Sequence, residues 1–332
     1  MRLKSALFIF LAIIVPVSQA GATVLKIATL APDGTSWMNE MRAAGKAIAK
    51  RTNNRVELKF YPGGIMGNEK SVMRKIRIGQ LHGSALTNAA LSKIAQNNQI
   101  YSLPMRFKSY EEMNYVRSKL DKVLLDGLKQ KGYTAYRIAG DGFSYLLSRE
   151  PVKNIEDLAR QKVWVPKGDV VARAVLEEIN VSPVSLPLTD VLTGLQTGLF
   201  STIGSPPVFA IALQWHTKVS YLLDVPLFFT YGALTFSNKS LKKISKADQQ
   251  VMQEEINNTF KKLNKQNWDN NIKAKQALAS QGIKFLQPSK QELAAMQELA
   301  DKTTNKLIKQ GVFSAELVNK VDQLLAEFRK KK

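Results

Sequence analysis

The chain is predicted to be an α/β protein of two lobes, and three observations carry that expectation. Short apolar runs alternate with helix-period stretches over residues 24–87 and again over residues 162–207. At 332 residues there is chain enough for two domains, and an apolar share of 45% suits a globular protein with a sizeable core. Residues 236–332 then turn to long amphipathic helical patterns without strands.

The first alternation opens with a strand at 24–29, punctuated by Ala31-Pro32-Asp33-Gly34. Thr35 or Ser36 can cap a helix whose apolar stripe is Trp37, Met41, Ala44 and Ile48. Val56, Leu58 and Phe60 alternate with Glu57 and Lys59, as in a half-buried strand, and Pro62-Gly63-Gly64 turns the chain. Val72, Met73 and Ile76 mark a helix ending near Gly79, and small residues at 81–87 form a strand. Met113, Val116, Leu120 and Leu124 space a further helix, and 134–139 is a strand that Asp141-Gly142-Phe143-Ser144 is expected to end.

In the second alternation, Val163-Trp164-Val165 reads as a buried strand closed by Pro166. Asp169 can cap a helix bearing Val171, Ala174, Val175 and Ile179. A strand at 181–186 follows, then a short helix capped by Thr189, carrying Leu192 and Leu195 and ended by Gly198. Residues 199–203 form a third strand, stopped by Gly204-Ser205-Pro206-Pro207. Ligands of open α/β sheets bind at the edge where such strand ends converge. Residues 219–225 and 233–237 read as two more strands. Ser245 can cap a helix with Met252, Ile256, Phe260 and Leu263 inside, broken by Gly282. Leu293, Met296, Ala300 and Leu307 mark the next helix, and Leu317, Val321, Leu324 and Phe328 the last.

The formal charge is +21. The lysines are scattered, with short clusters at Lys242-Lys243, Lys261-Lys262 and 329–332, and no aromatic residues are interleaved with a basic stripe. This describes a solvated basic surface rather than a nucleic-acid binder. Arg2 and Lys4 precede an apolar run at 6–17, followed by Ser18-Gln19-Ala20 and Ala20-Gly21-Ala22, the layout of a secretory signal peptide over 1–22. The run is short for a membrane span, and without cysteine no lipid anchor is available. The mature chain is expected to begin near Gly21 or Thr23 and to be soluble outside the cytoplasm. There are two histidines, no cysteine, and no G-x-S-x-G, P-loop or G-x-G-x-x-G motif. His82 reads as a strand residue packed between Leu81 and Gly83. The pattern points to a binding protein, not an enzyme, with no metal or cofactor.

Particular motifs narrow this reading. Lys162, Val165, Pro166, Pro183, Val184, Pro187, Val191, Gly194, Leu195, Gln196, Gly198 and Pro206 stand where the pattern K-[IL]-R-V-P, helix, N-P-V-P-[ML]-P-x-x-E-[VT]-Y-x-[AG]-L-Q-x-G-[VT]-[VI]-D-G-x-E-N-P would place them. With L-K-I-A-T-L-A-P-D-G-T-S-W, R-V-E-L-K-F-Y-P-G-G-I-M-G-N-E and the L-P-M-R-F run at 103–107, the chain resembles the solute-binding proteins of tripartite ATP-independent periplasmic (TRAP) transporters over nearly its whole mature length. The resemblance implies a two-lobed periplasmic solute-binding fold with crossing strands and long C-terminal helices. Residues 23–145 would form mainly one lobe, 146–235 mainly the second with the crossing strands, and 236–332 would pack across both.

The departures from that pattern concern the ligand. The family's arginine in K-[IL]-R-V-P, which pairs bidentately with a ligand carboxylate, is Trp164 here; its second arginine, in G-x-R, is Ser144. The asparagine and aspartate of D-G-x-E-N-P are Ser205 and Ser201, and a polar position of the crossing strand is Leu227, beside Phe228 and Phe229. A carboxylate without a cation is strongly penalised out of water, whereas an indole offers one N–H and an apolar face. The expected pocket therefore takes an apolar or weakly polar ligand, with Trp164 as a stacking wall and Ser144 and Ser205 as modest hydrogen-bonding groups. Further candidates are Phe143, Pro166, Leu227, Phe229, Trp37, Asn88, Trp215 and Tyr231. Trp37 reads equally as core. Three alternatives stay open: Trp164 fills the ligand space, a cation such as Lys167 or Arg173 replaces the lost arginine, or the protein is a sensor with a binding fold. The implied partners are a small molecule, TRAP permease subunits and, for variants without the arginine, a helical-repeat periplasmic protein.

Overall fold

The computed structural model describes residues 22–331, so the signal-peptide expectation lies outside the described residues. The elements in order are β1 (Thr23–Ala28), α1 (Ser36–Arg51), β2 (Val56–Tyr61), α2 (Glu69–Arg77), β3 (Gly83–Thr87), α3 (Asn88–Ile94), α4 (Tyr110–Gln130) and β4 (Tyr133–Ser148). Then come α5 (Ile155–Ala159), β5 (Val163–Pro166), α6 (Val170–Glu177), β6 (Val184–Leu186), α7 (Val191–Gln196), β7 (Thr202–Ser205), α8 (Pro207–Ala212) and β8 (Tyr221–Ser237). The chain closes with α9 (Asn238–Leu241), α10 (Lys246–Ser280), β9 (Lys284–Leu286), α11 (Lys290–Lys309) and α12 (Ala315–Lys330).

The strands join in the order β2-β1-β3-β8-β4-β7-β5-β6, with β9 added to β8. Two parallel trios, β2-β1-β3 and β7-β5-β6, flank the antiparallel pair β8 and β4. That pair runs the full width. Thr134 and Ala135 face Phe236 and Thr235 beside the first trio, while Leu147 and Ser148 face Leu222 and Tyr221 beside the second. The apolar stripes find their partners as expected: Met113, Val116, Leu120 and Leu124 of α4 are buried against α12, and Met252, Ile256, Phe260 and Leu263 of α10 pack with β1 and α1.

The predicted caps at Thr35, Asp169 and Ser245 each accept backbone N–H groups of the following helix. Thr189 does not; its hydroxyl donates to the Asp190 carboxylate (2.8 Å). Several strand boundaries also shift. Asp141–Ser144 does not end β4, because Gly142 takes a positive φ of 119° at a register shift and lets the strand bend and continue. The two strands expected at 219–225 and 233–237 are one, β8; Pro226, lacking an N–H, falls where its ladder with β4 skips from Leu223 to Phe228. The expected strand at 199–203 sits later, at Thr202–Ser205, because Leu199 is exposed while Phe200 is buried against Trp164. Only Val184–Leu186 of 181–186 pairs as a strand. Leu293, expected on a core stripe, is exposed.

Gly83 shows how closely β3 and β8 approach. A Cβ there would lie in hard contact with the Thr235 carbonyl oxygen, which belongs to the backbone and cannot rotate away. Gly83→Ala is expected to cost about 1–3 kcal/mol, the range for overpacking a well-packed site. Urea denaturation checks it; a loss below about 0.5 kcal/mol would mean the two strands can separate at no cost.

Candidate functional site

The strand ends of the two trios meet. The Lys93 ammonium, from α3, donates to the Lys167 carbonyl just after β5 (3.2 Å), and a Cβ on Gly64 would lie 3.0 Å from the Thr189 methyl. Beneath this contact lie two cavities, of about 160 and 180 Å³. A cavity of about 150 Å³ is enough for a benzene-sized ring.

Trp164, Ser144, Ser205, Pro166, Leu227, Phe229, Asn88 and Trp215 all line the first cavity. Trp164 lies on β5 between Val184 of β6 and Ile203 of β7. Its ring meets Trp215 edge-on at 5.7 Å and tilts against Phe200 at 6.4 Å. The indole N–H donates to the Leu186 carbonyl (3.0 Å), so the donor expected to serve a ligand is already spent. Trp164 is thus both cavity wall and core residue, and it leaves the cavity open.

The other polar groups pair in the same way. Ser144 Oγ bonds Thr230 Oγ1 (2.8 Å), Ser205 Oγ donates to the Pro206 carbonyl (3.0 Å), and Asn88 Nδ2 donates to Ser102 Oγ (2.8 Å). The one ionisable side chain among the lining residues is Asp169, with no lysine, arginine or histidine. Its carboxyl accepts from the Val171 and Ala172 N–H groups at 3.1 and 3.0 Å; burial pushes its pKa up against the pull of those bonds. The cations considered as replacements lie elsewhere. Lys167 is exposed and borders a small outer cavity, and Arg173 pairs with Glu177 on its own helix (3.5 Å).

Three candidate residues do not reach this cavity. Phe143 sits one position from Ser144 and faces the opposite side of β4, packed edge-on against Phe229 at 5.4 Å in the core under α4 and α12. Tyr231 is fully buried in that core and donates to the Asn98 carbonyl (2.6 Å). Trp37 lines the second cavity, where it is partly buried. The sequence reading missed the wall formed by Val152 and Leu158 beside α5 and by Met296, Leu299 and Ala300 of α11. Helical spacing marked Met296 and Ala300 as apolar, but nothing local says that a helix over a hundred residues away closes a cavity on β5. Phe209, just past the Pro206-Pro207 stop, was missed as well.

The histidines are structural. His82 Nδ1 accepts the Lys26 N–H (2.9 Å), and burial, aided by Lys243 and Lys26, lowers its pKa. His216 Nδ1 pairs with the Ala210 carbonyl (2.9 Å). Among the described residues no cluster of His, Asp or Glu could hold a metal, and no helix is long and apolar enough to cross a membrane.

This architecture is the α/β fold of TRAP periplasmic solute-binding proteins, with long C-terminal helices. A TRAP solute-binding protein from Desulfovibrio salexigens with bound orotic acid superposes with a TM-score of 0.83 at 19% identity, covering 92% of this chain and 99% of that one. One from Haemophilus influenzae with bound L-gulonate gives 0.84 at 19% identity, covering 91% and 99%. In sequence, the uncharacterized protein YiiZ of Salmonella typhimurium is 22% identical over 302 residues, 86% of this chain and 88% of that protein. The profile of the family described as "DctP: Bacterial extracellular solute-binding protein, family 7" matches residues 27–310, and the chain belongs to that family. It is a non-enzymatic, periplasmic solute-binding subunit of the TRAP type, with a small-molecule ligand and, as the family implies, membrane permease subunits as partners.

Proposed function

We propose that this subunit captures an apolar or weakly polar small molecule, not a simple dicarboxylate or sugar acid, and delivers it to a TRAP permease. One observation carries the reading: no cationic side chain lines the first cavity, and its polar atoms are paired with one another. Orotic acid and L-gulonate, held by two of the similar structures, both bear a carboxylate. Such a group placed here would lose its water without gaining a counter-charge and would sit near the acidic Asp169. A ligand with an aromatic or aliphatic body would instead gain about 25 cal/mol for each Å² of apolar surface buried. Trp164 and Ser144 occupy the positions that resemblance assigns to the capturing arginines, which makes this chain a variant without them. The lobes would be residues 23–145 and 146–235, closing on the ligand, with 236–332 across both; a helical-repeat periplasmic partner would fit such a variant.

Native mass spectrometry of protein purified from the periplasm, followed by denaturation and extraction, tests the reading. An apolar molecule released on denaturation is the expected result. If the protein arrives empty, titration with the neutral fluorophore N-phenyl-1-naphthylamine should show saturable binding, while succinate and D-glucuronate show none by calorimetry. A bound or titrated carboxylate of micromolar affinity would overturn the reading.

A further inference from the structure

The second cavity holds a group that the first reading does not use. Thr87, Leu188 and Phe209 line both cavities, so the two compartments adjoin. The second is walled by Trp37 from α1, Phe260, Asn267 and Asn270 from α10, and Asp141 from β4; Asp141 is the only ionisable residue among its lining residues. Every polar side chain described in the first cavity is paired. Among the described residues, the Asp141 carboxylate has no hydrogen bond and no ion pair; its backbone carbonyl accepts from Asn271 Nδ2 (2.7 Å). The nearest cation that acts on it, Arg117, lies towards α4 and is held by Asp121 (3.1 Å) and by the Ile138 carbonyl (2.5 Å). Asn267 spends its amide nitrogen on the Gly140 carbonyl (2.6 Å), which leaves its oxygen as an acceptor.

Asp141 is half-buried, and a carboxylate drawn partly out of water without a partner is costly unless something supplies a proton or a positive charge. Trp37 and Phe260 add π faces, which attract cations. Resting on the apolar-ligand reading, we propose that the ligand is a cationic amphiphile whose apolar body fills the Trp164 cavity and whose amine nitrogen pairs with Asp141 in the adjoining cavity. Without such a ligand the same carboxyl is driven towards its neutral form, since burial pushes it up to about 7. The two compartments therefore discriminate by charge: the first tolerates no anion, and the second favours an ammonium.

Three probes of matched length test this by calorimetry at about pH 8: 3-phenylpropylamine, 3-phenylpropan-1-ol and 3-phenylpropionate. The wild type is expected to bind the amine about tenfold or more tighter than the alcohol, as a charge-assisted bond provides, and to bind the propionate weakest. Asp141→Asn should erase the advantage of the amine and leave the alcohol unchanged, whereas a merely structural role would weaken all three together. An amine no tighter than the alcohol, or one that keeps its advantage in Asp141→Asn, overturns the proposal while the apolar cavity stands. No binding by any of the three up to millimolar concentration also overturns it. If the alcohol fails while D-glucuronate binds, the apolar reading itself is wrong.

Discussion

Trp164→Ala is expected to destabilise the folded protein by about 3–5 kcal/mol, the range for deleting a large buried aromatic side chain. Two costs add. The indole is 3% exposed and packs on Trp215 and Phe200, so its removal leaves a void that β5, held between β6 and β7, cannot close. The Leu186 carbonyl also loses one of its two donors, keeping only the Lys167 N–H (3.2 Å). Trp164→Phe separates the two terms: it keeps most of the packing and removes only the indole N–H bond, leaving the carbonyl to the Lys167 N–H (3.2 Å), at about 0.5–1.5 kcal/mol. Far-UV circular dichroism in urea is the measurement, because tryptophan fluorescence changes with the substitution itself. For a chain of this size the alanine variant should lose on the order of 10 °C in Tm. A loss under about 1 kcal/mol would show that the ring is a mobile cavity lining instead of part of the core.

The second large effect is a pH dependence that Asp141→Asn should remove. Burial raises the folded-state pKa of Asp141 to about 7, above the ordinary 3.8 of an exposed carboxyl. Between those two values the native state holds a proton that the unfolded state has released. The contribution to stability is therefore complete below about pH 4 and is lost as pH rises through about 7. The full shift corresponds to about 4 kcal/mol; the half-buried position of Asp141 reduces this to about 2 kcal/mol. Asparagine cannot ionise, so the stability difference between Asp141→Asn and wild type should move in favour of the variant by about 1 kcal/mol from pH 5 to pH 8, the part of that shift lying above pH 5. Denaturation curves of both proteins at the two values test it, since titration of all other groups cancels in the subtraction. A difference that does not change between pH 5 and pH 8 would mean the carboxyl is well solvated.

Much of the architecture is legible in local pattern. Caps at Thr35, Asp169 and Ser245 were readable because each oxygen binds N–H groups two or three residues away. The stripes of α4 and α10 were readable because a helix shows its buried face at fixed spacing. The strand boundaries failed where a single residue decided them by long-range pairing. Gly142 looked like a terminator, yet with β8 alongside it became a bend within β4. Pro226 looked like loop, yet the strands on both sides of it hold β8 together.

The same division runs through the site. Position in a motif pointed to Trp164, Ser144, Ser205, Pro166 and Leu227 with its neighbour Phe229, and loop or strand-end position to Asn88 and Trp215; all of these line one cavity. Loop or strand-end position also pointed to Phe143 and Tyr231, which pack in the core beneath α4 and α12. Composition determined that cysteine chemistry is absent, and motif spacing pointed to the family. Only the tertiary structure decided what the remaining polar atoms do. Ser144 is satisfied by Thr230, eighty-six residues away, and Trp164 by the Leu186 carbonyl, while Asp141 is left facing a cavity with no partner. The reason is physical: periodicity and capping arise from neighbours along the chain, whereas the pairing of a buried polar group, and the cost of leaving one unpaired, depends on whichever distant segments fold against it.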